Sequence, residues 1–135
     1  MKTRYTVALS MVAGAALGGA AIQGLHAQAK PPVYYVAEIE VTNPDAYAKE
    51  YAPKAQALIK AAGGKILAVG GAAATAGAKL TGFDGEPPKR AVVQVWDSMD
   101  KIQAWRNTPE YKALRKDVGD KYAKFRSYAI EGVPQ

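Results

Sequence analysis

The chain has 135 residues, 49% apolar, 9% aromatic and 22% charged, with 18 Lys+Arg against 12 Asp+Glu. This is ordinary globular composition at single-domain length, which excludes a fibrous or disordered chain. There is no cysteine, and the single histidine, His26, sits in the N-terminal stretch. Beyond residue 29, thiol catalysis, Ser-His-Asp chemistry, zinc ligation, haem attachment and disulfide staples are therefore all excluded, and neither metal nor cofactor is expected.

Met1–Ala29 reads as a secretory signal. Lys2 and Arg4 form a basic n-region, Val7–Leu25 an apolar h-region, and Ala27-Gln28-Ala29 an A-x-A cleavage site. The competing reading is an uncleaved anchor, because the apolar stretch is 19 residues long. Gly14, Gly18, Gly19, Gly24, Ser10 and Gln23 keep it only weakly hydrophobic, so cleavage is expected, with no stable membrane insertion afterwards. The mature protein then starts with the extended leader 30–33 and resides in the bacterial periplasm or the extracellular space. The remaining 106 residues carry 16 Lys+Arg and 12 Asp+Glu, a net +4. Their basic residues alternate with acids along 112–126, which reads as a solvated helix face, and secretion argues against nucleic acid as a partner.

Tyr34–Val41 alternates, placing Tyr35, Ala37, Ile39 and Val41 opposite Tyr34, Val36, Glu38 and Glu40, the pattern of a half-buried strand. Asn43 and Pro44 supply a cap and a first helical residue. Tyr47, Tyr51, Ala55, Leu58, Ile59 and Ala62 then mark one helix face. Pro53 is expected to kink or break this helix near Glu50, and Gly63-Gly64 to end it. Lys65–Val69 reads as a short second strand and Gly70–Ala78 as a loop, followed by turn chemistry through Pro88. Arg90–Trp96 alternates again, with Ala91, Val93 and Val95 against Arg90, Val92, Gln94 and Trp96. Asp97-Ser98 caps a short helix through Ile102 and Trp105, and Thr108-Pro109-Glu110 starts another with Tyr111, Leu114, Val118, Tyr122 and Phe125 as its buried stripe. Ser127–Val133 closes as a fourth strand.

The order strand, helix, strand, strand, helix, strand defines an α+β, ferredoxin-like βαββαβ fold, with both helices on one face of a four-stranded antiparallel sheet. Val36, Val92 and Trp96 are assigned to the uncovered face, where a second copy would bury them, with Glu38, Glu40, Arg90 and Gln94 as polar contacts around them; a homodimer is expected. Glu38 and Glu40, about 7 Å apart on one strand face, are either a carboxylate pair for acid–base or metal chemistry or a solvated surface. Arg90, placed beside a parallel first strand, is expected near those glutamates as an ion pair or as the orienter of an anionic ligand. Tyr35, Tyr51, Trp105 and Tyr111 are either core with satisfied hydroxyls or the lining of a small-molecule pocket, with Arg90 as a further ligand-binding candidate. The Asn107-Thr108-Pro109 helix break is the place where a cavity is expected.

Several stretches together resemble the DUF1330 family of small bacterial domains of unknown function. They are Gly63-Gly64, Arg90-Ala91-Val92-Val93 through Trp96-Asp97-Ser98, the segment Ala104–Tyr111 (which looks like the family's aromatic-x-S-P-E-Y motif) and Glu131-Gly132. The resemblance spans about Tyr34 to Gly132 and departs from the family at Thr81 and Val118. It implies the dimeric α+β barrel superfamily, in which two ferredoxin-like sheets pack face to face. Relatives there include cofactor-independent monooxygenases of aromatic substrates, stress-response barrels and haem proteins. Three functions follow as expectations. The first is a small-molecule-binding module, the second a cofactor-free oxygenase or isomerase using tyrosine hydroxyls and Arg90, and the third a structural or interaction domain.

Overall fold

The computed structural model describes residues 30–74 and 78–135; the segment read as a secretory signal and the middle of the Gly70–Ala78 loop lie outside the described residues. β1 (Val33–Val41) follows its alternation, burying Val33, Tyr35, Ala37, Ile39 and Val41. Asn43 then caps a helical rod, its Oδ1 accepting the Ala46 N–H at 3.2 Å, with Pro44 in the first turn. The rod consists of α1 (Pro44–Ala46), a π-helical turn (Tyr47–Tyr51) and α2 (Ala52–Ala61).

The break expected near Glu50 is absorbed by that π turn. Pro53 has no N–H for the carbonyl one turn back, so the helix widens and the Ala52 N–H donates to the Tyr47 carbonyl instead. Gly63, at φ +100°, ends the rod, and the Gly64 N–H reaches back to the Ile59 carbonyl at 2.9 Å. Gly64 is also required by packing, because a Cβ there would lie 2.6 Å from the Trp96 ring.

β2 (Lys65–Gly71) runs past the expected end at Val69, since Gly70 and Gly71 continue the ladder opposite Ala91 and Arg90; a bulge falls between Ile66 and Ala68. β3 (Arg90–Trp96) leads to α3 (Met99–Arg106), capped by Ser98 Oγ accepting from the Lys101 N–H. Thr108 caps α4 (Pro109–Leu114), which passes through a second π turn (Arg115–Gly119) and α5 (Asp120–Tyr122) into β4 (Ala123–Glu131). β4 thus begins before the expected Ser127. Phe125 belongs to this strand and not to the helix stripe, because Ala123 and Phe125 pair with Val41 and Ile39 of β1.

The four strands form one sheet in the order β2-β3-β1-β4 with every neighbouring pair antiparallel, which is the ferredoxin-like topology. Two expectations change with this register. β3 is antiparallel to β1 and places Arg90 opposite Ile39, away from Glu38 and Glu40. Arg126 takes the expected partner role, donating from Nη2 to both oxygens of Glu38 at 3.1 Å.

Val92, Gln94 and Trp96, assigned from sequence to the open face, lie opposite Ala37, Tyr35 and Val33. Residues directly paired across a ladder share a face, so all three are buried beneath the helices, Trp96 to 1% exposure. The polar Arg90 and Gln94 suggested a solvent-facing row, but they line the interior. The open face carries Val36, Glu38 and Glu40, together with Ala91, Val93 and Val95 of β3 and Tyr128 and Ile130 of β4. Among the described residues no helix is long and apolar enough to cross a membrane.

Candidate functional site

Between the helical layer and the inner faces of β1 and β3 lies a cavity of about 50 Å³, room for about three or four water molecules. Tyr35 and Arg90 reach it from the sheet, Tyr51 from the first π turn, Trp105 from α3 and Tyr111 from α4, so the five residues singled out from sequence meet in one place. The cavity also takes in Tyr47, Gln94 and Arg115, which were not singled out as its lining. For Arg115 the available signal was its i+4 spacing from Tyr111; for Gln94 it was a polar residue between two large apolar ones in a strand.

The walls are aromatic. Trp105 packs against Trp96, Tyr35 and Tyr111 with ring centroids 5.1, 5.4 and 4.5 Å apart, the Tyr35 contact edge-on at 86°. Tyr51 bridges Tyr47 and Phe125 at 5.1 and 5.4 Å. Its ring lies on Gly119 at the end of the second π turn, where a Cβ would come within 2.7 Å of Cε2. The two π turns therefore face one another across this ring, and such bulges are frequent at functional sites.

Most polar groups in the cavity have partners. The Tyr35 hydroxyl accepts from Arg106 Nη1, and the Tyr111 hydroxyl accepts from Arg115 Nη1 at 2.9 Å. Arg115 also donates from Nε to Asp120 at 3.1 Å while its guanidinium stacks 3.8 Å over Phe125. Gln94 Oε1 accepts from Trp96 Nε1 at 2.9 Å.

Two donors do not. Arg90 Nε and Trp105 Nε1 are buried without any hydrogen-bond partner among the described residues, and both side chains line the cavity. Arg90 is 3% exposed, donates from Nη1 to the Ala72 carbonyl at 3.1 Å and lies 5.1 Å from the Tyr47 ring centre. No aspartate or glutamate lines the cavity, which thus holds two guanidinium groups and no acid. Buried donors without acceptors are rare in folded proteins because each forfeits its water without replacement.

Burial raises the hydroxyl pKa of Tyr35, Tyr47 and Tyr51 above that of a free tyrosine. The Ser127 and Arg106 contacts offset this in part at Tyr35, and the Arg90 charge at Tyr47. These groups stay protonated at neutral pH and act as hydrogen-bonding hydroxyls, not as bases. The site offers donors and apolar walls to a ligand with acceptor atoms.

The surface depression beside Glu38, Glu40 and Glu86 also contains Lys124 and Arg126. Among the described residues no group of three or more His, Cys, Asp or Glu side chains is arranged to hold a metal ion. Glu38 is ion-paired with Arg126, and Glu40 accepts from the Lys89 N–H at 3.4 Å.

The chain belongs to the DUF1330 family, a domain of unknown function, whose pattern matches residues 32–133. No curated protein matches the sequence. Among solved structures it is similar to a protein of unknown function from Rhodopseudomonas palustris, at 17% identity and a TM-score of 0.55 over 78% of this chain and 85% of that one. It is also similar to SnoaB, a cofactor-independent oxygenase from Streptomyces nogalater, at 12% identity and a TM-score of 0.53 over 78% of this chain and 96% of that one. At these identities the likeness is one of fold.

Proposed function

We propose that this domain binds a small organic molecule in the cavity between sheet and helices. The observation that carries the reading is the pair of buried, unpartnered donors, Arg90 Nε and Trp105 Nε1, on one aromatic-walled cavity. A purely structural core would bury partnered polar groups or none. An oxygenase or isomerase using Tyr35, Tyr47 or Tyr51 as a base fits less well, since burial keeps these three protonated. The test is tryptophan fluorescence and NMR chemical-shift mapping of the mature domain against a library of small organic compounds, carboxylates and aromatics included. Binding should move the Trp105 signals, and Trp105→Ala should abolish the fluorescence response while Trp96 remains. A library silent by both methods would overturn the reading.

The binding unit we propose is a homodimer joined through the open sheet face. Tyr34, Tyr128 and Ile130 are 37%, 44% and 55% exposed on that face, a contiguous apolar surface with Val36 beside them. Stable monomers rarely leave such a surface in water. Light scattering should give twice the monomer mass at micromolar concentration; a monomer would overturn the assembly. The compartment proposed is the periplasm, after cleavage behind Ala29. Protein recovered there should begin at Lys30 by intact mass, and a full-length, membrane-bound product would contradict this.

A further inference from the structure

Building on the pocket reading, we infer that the ligand is a small monocarboxylate with a short apolar body, and that Arg90 receives its carboxylate. The guanidinium donates from Nη1 to the Ala72 carbonyl and lies against the Tyr47 ring and hydroxyl. Its Nε is buried with no acceptor among the described residues. Nε belongs to the side-on edge of the guanidinium, where N–H bonds match the spacing of carboxylate oxygens. The donor left over in Arg90 is thus one that a carboxylate oxygen would accept from.

Charge points the same way. Arg90 has no acidic partner among the described residues, and the undescribed segments 1–29 and 75–77 contain no Asp or Glu at all. The chain itself supplies no counter-charge for this buried cation. Water would satisfy the hydrogen bonds but not the charge, which is costly to keep unpaired in a low-dielectric interior.

The number of charges is also set. Arg115, the other guanidinium in the lining, is occupied by Asp120 and the Tyr111 hydroxyl. One unpaired cation remains, which fits a singly charged carboxylate better than a doubly charged phosphate. Trp105 Nε1 supplies a further donor for an acceptor on the same ligand, and the rings of Trp105, Tyr47 and Tyr51 flank an apolar body. The volume of about 50 Å³, room for about three or four water molecules, limits the ligand to a carboxylate with a short apolar tail.

The experiment titrates the mature domain with acetate and with acetamide, which has the same shape but no charge, by calorimetry and tryptophan fluorescence. Acetate should bind at least tenfold more tightly than acetamide. Arg90→Gln should lose at least tenfold in acetate affinity with acetamide unchanged, and Arg90→Lys should recover only part, since it restores the charge without the fork. If Arg90→Gln does not fold, the acetate-to-acetamide ratio of the wild type decides alone. Equal affinities for the two probes, or silence toward both, would overturn the carboxylate assignment, whereas the pocket reading falls only with the silent library. Displacement of acetate by an equal concentration of chloride would also overturn the assignment, by reducing Arg90 to a general anion site.

Discussion

Arg90→Met separates a guanidinium kept for a ligand from one kept for the fold. Methionine keeps an unbranched apolar stem next to Tyr47 without a charge. The change removes a charge-assisted hydrogen bond to the Ala72 carbonyl, worth about 1.5–3 kcal/mol. It also removes the stacking over Tyr47 at 5.1 Å, worth about 1–2 kcal/mol when desolvated. Against these losses it relieves the burial of a cation that no acid neutralises, a penalty of several kcal/mol per ion in real proteins. Loss and relief are of the same size, so the stability difference between variant and wild type should stay within about 2 kcal/mol in the absence of ligand. Thermal and urea unfolding of both proteins at pH 7, in low salt without organic anions, measure it. Saturating acetate should then favour the wild type, since about 100 Kd of ligand stabilises it by about 2.7 kcal/mol and the variant hardly at all. A variant destabilised by more than about 2 kcal/mol in the absence of ligand would mean that Arg90 is structural, and the reasoning fails.

Gly119→Ala forces a methyl to within 2.7 Å of the Tyr51 ring; the overpacking should cost about 1–3 kcal/mol in urea unfolding and perturb the Tyr51 ring resonances, and an unperturbed ring would show that the two π turns are not tightly packed. Alkaline stability should follow the buried tyrosines: the unfolded chain ionises near pH 10.0 while burial holds Tyr35, Tyr47 and Tyr51 higher in the native state, so their contribution is complete below that pH and is lost as pH rises beyond it. Melts taken across this range with ultraviolet detection of tyrosinate should show these residues ionising with unfolding; ionisation of all three at ordinary pH in folded protein would contradict their burial. Ile130→Glu on the open face, where Ile130 is 55% exposed, should leave the monomer fold intact by circular dichroism and halve the mass in solution, and an unchanged mass would place the dimer contact elsewhere.

Local chemistry made much of this fold legible in the sequence. The alternation of Val33–Val41, the caps Asn43, Ser98 and Thr108, the first-turn prolines Pro44 and Pro109 and the Gly63-Gly64 stop each act over a few residues through sterics and backbone hydrogen bonds. Together they determine the element order, and with it the ferredoxin-like class. Tyr35, Tyr51, Trp105 and Tyr111 were likewise traceable to the layer between sheet and helices from spacing alone. The phase of β3 was not, because Arg90-Ala91-Val92-Val93-Gln94-Val95-Trp96 has apolar residues on both faces and polar ones on the inner face. Only the pairing of Gln94 with Tyr35 and Trp96 with Val33, 59 and 63 positions apart in the chain, decides which row is buried. Phe125 was ambiguous for a related reason: one residue fits both a helical and an alternating period until Ile39 pairs with it. Whether Arg90 finds an acid is a matter of three-dimensional neighbours. The antiparallel register sends Glu38 to Arg126 and leaves the Arg90 guanidinium facing an aromatic cavity without a counter-charge, and no rule of local spacing contains that information.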